Sequence, residues 1–367
     1  PVTQADLERW KKDLSNWGRW GAADEAGALN LITPAKRRQA AASVKAGISV
    51  SLARDGQYEK GVETELGIPG TGVYERHMAS PGVDWFVLRY HGYGHTHLDS
   101  LAHGTDAGRA YNGYVADKDR VMTEGLSRSS IYVARHGIVT RGILIDVPRL
   151  DGVPYLDLDR RIYPSDLEAW EKKAGLKVSA GDALLIRTGR WTRWAKVGPW
   201  DARKQAAGLD ASVIPWLRQR DIAILGGEAP QDANPPMGDL KGLPVHGFAL
   251  VHLGVHLLDN LALDEVGAVG AVGAVGATNR LVWRARSQLH QFARDEAPLG
   301  RLDRCDRESI AARQNTHVGE LCMGAQLGEG QRADVDAIQQ DRPAGHVVRE
   351  EIAVPLVGSR DRGLGHG

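Results

Sequence analysis

The chain has 367 residues, enough for one large domain or two ordinary ones with a sizeable core. Its 46 basic and 46 acidic residues cancel to a formal charge of zero, which argues against an electrostatic grip on nucleic acid or on an anionic membrane. No run of about 18 apolar residues is present, and the charged start PVTQADLERWKKDL lacks a signal peptide's apolar stretch, so a cytoplasmic protein is expected.

Asp6 to about Trp17 reads as a first helix, followed by the turn-rich WGRWGAADEAGALNLITP. Thr33-Pro34 opens a second helix that Gly47 should stop. ISVSLAR alternates with period two and predicts a strand, and the Gly/Pro-rich stretch from Gly61 to Pro81 predicts a surface loop. VDWFVLRY, bounded by Pro81-Gly82 and Gly92, predicts another strand. RGILIDVPRL and GDALLIRTG read as buried strands. Between them YPSDLEAWEKKAG reads as a helix, with Ser165 and Glu168 as a capping box and Gly175 as its end. ASVIPWLRQRD predicts a helix, IAILGG a strand, PVHGFALVHLG a short helix or strand, and VHLLDNLAL follows. Strands and helices mix without a strict βαβ period. The expected architecture over residues 1–266 is one α/β domain with a mixed, largely antiparallel sheet.

The character changes after Val266. VGAVGAVGAVGA is a low-complexity run, no lysine occurs from Gly267 onward, and no aromatic residue occurs from Arg301 onward. Residues 267–367 should fold weakly by themselves. Two explanations compete: a disordered extension, or a shifted reading frame that replaced the original ending. Cys305 and Cys322, both in this stretch, read neither as a disulfide framework nor as a zinc knuckle.

Chemistry concentrates in Tyr90-His91-Gly92-Tyr93-Gly94-His95-Thr96-His97-Leu98-Asp99-Ser100-Leu101-Ala102-His103, which holds four of the chain's 13 histidines. Neutral imidazoles with a carboxylate are the usual ligands of first-row divalent cations. In an extended segment His97 and Asp99 point to the same side and could grip one ion, with His91 or His95 as a further ligand. His103 could act on substrate or on water instead. Pro244-Val245-His246 and Asp259-Asn260 form a second cluster, which by itself reads as a helix cap and a turn. His252 and His256 stand four apart but read as packed residues, because Gly254 lies between them. Gly226-Gly227-Glu228 lacks the glycine spacing and lysine of a phosphate loop. Ser100 is not in a G-x-S-x-G elbow, so a serine nucleophile is not supported.

THLDSLAH resembles the signature H-x-G-T-H-x-D-x-P-x-H of the cyclase family of metal-dependent hydrolases, which includes bacterial kynurenine formamidase and isatin hydrolase. The resemblance extends over about residues 10–266. It includes WGRWGAADEAGALNLITP, Tyr111-Asn112-Gly113-Tyr114, GDALLIRTG, Pro244-Val245-His246 and Leu258-Asp259-Asn260-Leu261. It implies a swivelling β/β/α-type fold, homo-oligomers, and Zn2+ or Mn2+ at the site. The implied chemistry is hydrolysis of C–N bonds in small amide, N-formyl or cyclic amide substrates. By the same resemblance His97 and Asp99 would be metal ligands, His246 and Asp259 would complete the set, and His103 would be the catalytic acid–base. The sequence departs from the pattern at Tyr93, which stands at the first histidine, so that His91 or His95 would have to substitute. It departs also at His95 for glycine, Leu101 for proline, and Asp259 for the usual glutamate.

A metal-dependent amidohydrolase is therefore the leading expectation. A catalytically impaired relative that binds a small ligand or a partner is the alternative. A lyase or isomerase using the same ion is a third option.

Overall fold

The computed structural model describes residues 1–44, 47–56, 74–116, 127–271 and 280–285, and all of these belong to one compact unit. The helices are α1 (Gln4–Asp13), α2 (Pro34–Ala42), α3 (Val147–Asp151), α4 (Pro164–Ala174), α5 (Arg190–Val197), α6 (Ile214–Arg220), α7 (Pro244–Phe248) and α8 (Asp264–Ala271). The strands are β1 (Tyr74–Ser80), β2 (Val83–Leu88), β3 (His97–Asp99), β4 (Ile138–Asp146), β5 (Arg161–Ile162), β6 (Ala183–Arg187), β7 (Gly208–Leu209), β8 (Ile224–Gly227), β9 (His256–Asp259) and β10 (Arg280–Ala285). Among the described residues no helix is long and apolar enough to cross a membrane.

The principal sheet has the order β10-β4-β6-β8-β9-β3. Its α/β, mixed character agrees with the sequence. The pairing balance differs: β4, β6, β8 and β9 run parallel, and antiparallel pairing is confined to the edges, β10 on β4 and β3 on β9. The βαβ units were hidden because the β4–β6 and β6–β8 crossovers carry an extra two-residue strand, β5 and β7 respectively, besides their helices. These two strands pair with each other in a separate small ribbon.

Alternate residues of the central strands enter two apolar clusters. Ile143, Ile145, Leu184, Ile186, Leu225 and Leu257 face one, while Leu144, Leu185, Ile224 and Leu258 face the other. A sheet buried on both faces explains why these strands read as continuous apolar runs. The first cluster is completed by Leu7 of α1, Trp170 of α4, Leu217 of α6 and Phe248 of α7.

Several local expectations are corrected. Helix α1 starts at Gln4 under a Thr3–Asp6 capping box. It stops at Asp13 because Asn16 turns away to donate its backbone N–H and side-chain amide to the carbonyls of His252 and Leu253. ISVSLAR alternates in burial only from Ser49 onward, Ile48 being exposed, and forms no strand. Its hydrogen bonds are isolated ones, Ala262 N–H to the Leu52 carbonyl and Arg54 N–H to Thr96 Oγ1. Tyr74–Ser80, placed in a surface loop, is instead a strand, since the Pro81-Gly82 turn folds it onto β2 as a hairpin. Residues 57–73, which hold the rest of that loop, lie outside the described residues. Helix α4 begins two residues earlier than Ser165 predicts: Pro164 takes the first position, and the Asp166 carboxylate accepts the Tyr163 N–H at 2.7 Å. The boundary set at Val266 falls inside α8, and β10 lies beyond it; the other residues of 267–367, with both cysteines, lie outside the described residues.

One close approach ties the N-terminal motif to the site region. Gly27 has φ +58°, and a Cβ there would strike the Gly254 carbonyl and the Leu101 side chain. Only glycine fits both the left-handed backbone and the contact. The neighbouring Ala28 N–H donates to the Gly254 carbonyl at 2.7 Å.

Candidate metal centre

The histidine run leaves β2, makes a series of turns from His91, and enters β3 at His97. Strand β3 is an edge strand of the principal sheet, and its short ladder with β9 sets His97 opposite Asp259 and Asp99 opposite Leu257. Residues directly opposite in an antiparallel pair share a face, so His97, Asp99 and Asp259 project to one side of the sheet. Helix α7 delivers His246 there, because Asp232 accepts the backbone N–H groups of Val245 and His246 at 2.7 and 2.9 Å and fixes the start of the helix.

Asp99 is the hub. Its side chain is 2% exposed. Oδ1 lies 3.5 Å from His91 Nε2 and 3.6 Å from His97 Nε2, and Oδ2 lies 3.6 Å from His246 Nε2 and 3.8 Å from His103 Nε2. Charge-assisted N–H···O bonds are about 2.7–2.9 Å long, so these separations are too wide for hydrogen bonding to be their main purpose. Two donors each about 2.1 Å from a tetrahedral cation stand about 3.4 Å apart. The groups His91–His97–Asp99 and Asp99–His103–His246 each bring their donor atoms within 4.8 Å of one another, so the residues fit a cation.

Local bonds aim these donors. His97 Nδ1 lies 2.9 Å from the His95 carbonyl, which leaves Nε2 turned to Asp99. A ring nitrogen fixed in this way sets the tautomer of a metal-binding histidine. The rings of His91 and His103 stack at 4.7 Å with an interplanar angle of 9°. Burial alone would raise the Asp99 carboxyl, but the imidazoles of His91, His103, His97 and His246 outweigh it and hold the group below the ordinary carboxylate range. Desolvation pushes His103 down, opposed by Asp99 and reinforced by His91 and His246. Burial pushes His95 down to about 4, with His97 and Arg54 adding to the effect.

Of the residues singled out in the sequence, His91, His97, Asp99, His103 and His246 come together. Of the two substitutes for the first histidine, His91 reaches Asp99, whereas His95 contributes its carbonyl to His97. Asp259 shares the face but lies outside both donor groups, and its Oδ1 accepts from Gln231 Nε2 at 2.7 Å. His252 is a packed residue as expected, stacked on Trp17 and bonded to Asp106 at 2.9 Å. His256 points to the opposite face of the sheet and is wholly buried.

The sequence did not reveal the second layer of the site. Glu228, Arg190, Gln231, Asp232 and Asn260 surround it, all of them buried. Glu228 Oε2 accepts the backbone N–H groups of Thr188, Gly189 and Arg190, while burial and then Asp264 push its carboxyl up to about 7. Only Gly226-Gly227-Glu228 following a strand, and Asn260 after Asp259, gave any signal.

The fold has a counterpart among solved structures. A solved structure described as a novel cyclase is 25% identical, covering 74% of this chain and 92% of that one with a TM-score of 0.63. Isatin hydrolase A from Ralstonia solanacearum is 19% identical, covering 59% of this chain and 80% of that one with a TM-score of 0.41. An isatin hydrolase bound to the product analogue thioisatinate is 20% identical, with coverages of 58% and 80% and a TM-score of 0.40. No curated protein matches the chain. The model of the Cyclase family matches residues 48–231, a span that takes in the whole histidine run from His91 to His103 and stops short of His246 and Asp259. With just over half of its length matched in this way, the chain belongs to the Cyclase family.

Proposed function

We propose that the protein is a divalent-metal-dependent hydrolase that cleaves a C–N bond in a small amide, N-formyl or cyclic amide substrate. The observation that carries this reading is the convergence of four imidazole nitrogens on the one buried carboxylate of Asp99 at 3.5–3.8 Å. His91, His97, Asp99 and His246 would hold the cation. Their nitrogen and oxygen donors, without sulfur, suit Zn2+ or Mn2+. Such an ion, when bound, polarises a carbonyl and makes water more acidic.

The chain's own groups supply the rest. His103 is the most exposed of the histidines around Asp99, with its side chain 39% accessible, so its Nε2 is the nitrogen best placed to meet a substrate. Its lowered pKa leaves it unprotonated at neutral pH, ready to take a proton from the attacking water and return it to the departing nitrogen. Asp99, kept ionised, offsets the positive charge that His103 acquires in between. Asp259 lies one methylene short of the glutamate usual in the family and serves as an outer carboxylate in this reading. A homo-oligomer is part of the same proposal, and light scattering tests it.

The test measures metal content of the purified protein and hydrolysis of N-formylkynurenine, isatin and related cyclic amides with added Mn2+ or Zn2+. Stoichiometric metal and turnover that both vanish in His97→Ala are expected. A His97→Ala protein indistinguishable from the parent would overturn the reading. Tyr93 in place of a histidine, together with the attachment of Asp259 to Gln231, favours one alternative, a catalytically impaired member that binds a small ligand or partner. A parent protein that takes up no metal supports that alternative.

A further inference from the structure

The turns that carry His91 and lead into His97 have no ladder of their own; their carbonyls are gripped by two buried side chains from distant parts of the chain. Asn260 Nδ2 donates to the carbonyls of Gly92 and His95 at 2.9 and 3.0 Å. Arg190 Nη2 donates to the carbonyl of Tyr93 at 2.7 Å. Arg190 Nη1 donates to Asn260 Oδ1 at 2.9 Å and to the Glu228 carbonyl at 2.7 Å, so the two side chains brace each other. The Asn260 carbonyl accepts from Thr96 Oγ1 at 2.6 Å, which closes the connection on the other side of the loop.

We infer that Asn260, braced by Arg190, is the positioning residue that sets the metal-ligating histidines. The His95 carbonyl that Asn260 holds is the group that His97 Nδ1 meets at 2.9 Å, so the orientation of the His97 ring passes through the Asn260 amide. The Gly92 carbonyl that it also holds directly follows His91. Asn260 itself has φ +56° and is fully buried, a conformation that asparagine tolerates better than most residues. Arg190 supplies a planar fork that lysine cannot reproduce. Neither residue belongs to the donor groups, and the pair acts through the backbone of residues 92–96. The inference rests on the metal-site reading, and its test separates the two.

The experiment compares Asn260→Gly and Arg190→Lys with the full-length parent. Glycine keeps the left-handed backbone and removes the amide, so it distinguishes a role for the side chain from a role for the turn. Two readouts are taken: Mn2+ affinity by titration, and amide hydrogen exchange of the peptide covering residues 92–96, measured without metal and referenced to the peptide covering α4. Loss of outer bonds that orient metal ligands costs about 10–100-fold in affinity. Both variants are expected to lose Mn2+ affinity in that range and to exchange about ten-fold faster in residues 92–96 while α4 stays as in the parent. Should the parent bind no metal, the metal reading fails, and exchange alone decides the positioning role. Asn260→Gly with loop exchange and any measurable Mn2+ affinity within two-fold of the parent would overturn the inference. So would equal acceleration in α4, which marks general loosening.

Discussion

His97 and Asp259 stand directly opposite each other across the β3–β9 ladder, on the same face of the sheet, yet only His97 enters the donor cluster around Asp99. Gln231 holds Asp259 by one oxygen at 2.7 Å, and the short aspartate side chain keeps it there.

Lengthening that side chain should therefore matter. Asp259→Glu extends the carboxylate toward His97 and is expected to tighten Mn2+ binding by about an order of magnitude, in the range that ligand-shell changes produce. Isothermal titration measures it. Unchanged affinity would show that a carboxylate at this position contributes nothing to the cation.

Asp232 is the acceptor for two backbone donors at the start of α7, that of Val245 buried and that of His246 half-buried. Asp232→Ala leaves both unsatisfied, which should cost about 1–3 kcal/mol of stability and lower the melting temperature. Because α7 presents His246, metal affinity should drop as well. A variant that melts lower but binds metal like the parent would remove His246 from the ligand set.

Gly27 allows neither a Cβ nor a change of backbone. Gly27→Ala combines a left-handed residue with a clash against the Gly254 carbonyl, and a loss of about 2–4 kcal/mol is expected from strain plus overpacking. Chemical denaturation reads this directly. A midpoint shift below the scatter of replicates would mean that the N-terminal motif is not locked against Gly254.

His256 is fully buried, with neither ring nitrogen hydrogen-bonded, and burial pushes its pKa down to about 4. Once unfolded, its imidazole protonates at its ordinary pKa of about 6.5, whereas the folded protein resists until about pH 4. The unfolded chain thus binds more protons in that window, so stability falls as pH drops from about 6.5 to about 4. Glu228, pushed up to about 7, works in the opposite sense, holding its proton in the folded state and losing stability as pH rises toward 7. The contribution of His256 therefore has to be read as a difference between variant and parent. His256→Leu should gain on the parent as the medium is acidified from pH 6.5 to 4.5. Parallel melting curves across that range would contradict this assignment.

The site was legible where its chemistry is local. Histidines at 91, 95, 97 and 103 with Asp99 among them are dense enough to announce a cluster, and β3 needs only three residues to align His97 with Asp99. Its supports were not legible. Arg190 opens a helix, Gln231 and Asp232 follow a strand, and Asn260 stands directly after one; apart from the hint at Asp259-Asn260, each reads as an ordinary residue until the sheet order brings them together. In the fold, runs such as GILIDV and ALLIR marked buried strands. Periodicity says nothing about pairing direction, which here depends on crossovers whose helices α3, α4, α6 and α7 bury their apolar residues in one and the same cluster. The hairpin partner Tyr74–Ser80 was missed because YERHMAS has little apolar alternation and gains its strand character only from β2.

The order of the sheet also has a consequence for how the protein is made. Strand β3, emerging early from the ribosome, bonds to β9, which is translated much later and is the last of the parallel series. Until that partner arrives, His97 and Asp99 have no ladder to align them, and His246, on α7, is itself made only shortly before β9. On the proposed metal reading, capture of the ion would then follow, rather than guide, synthesis of most of the chain, and a nascent polypeptide halted before β9 would carry its histidines without a grip on metal.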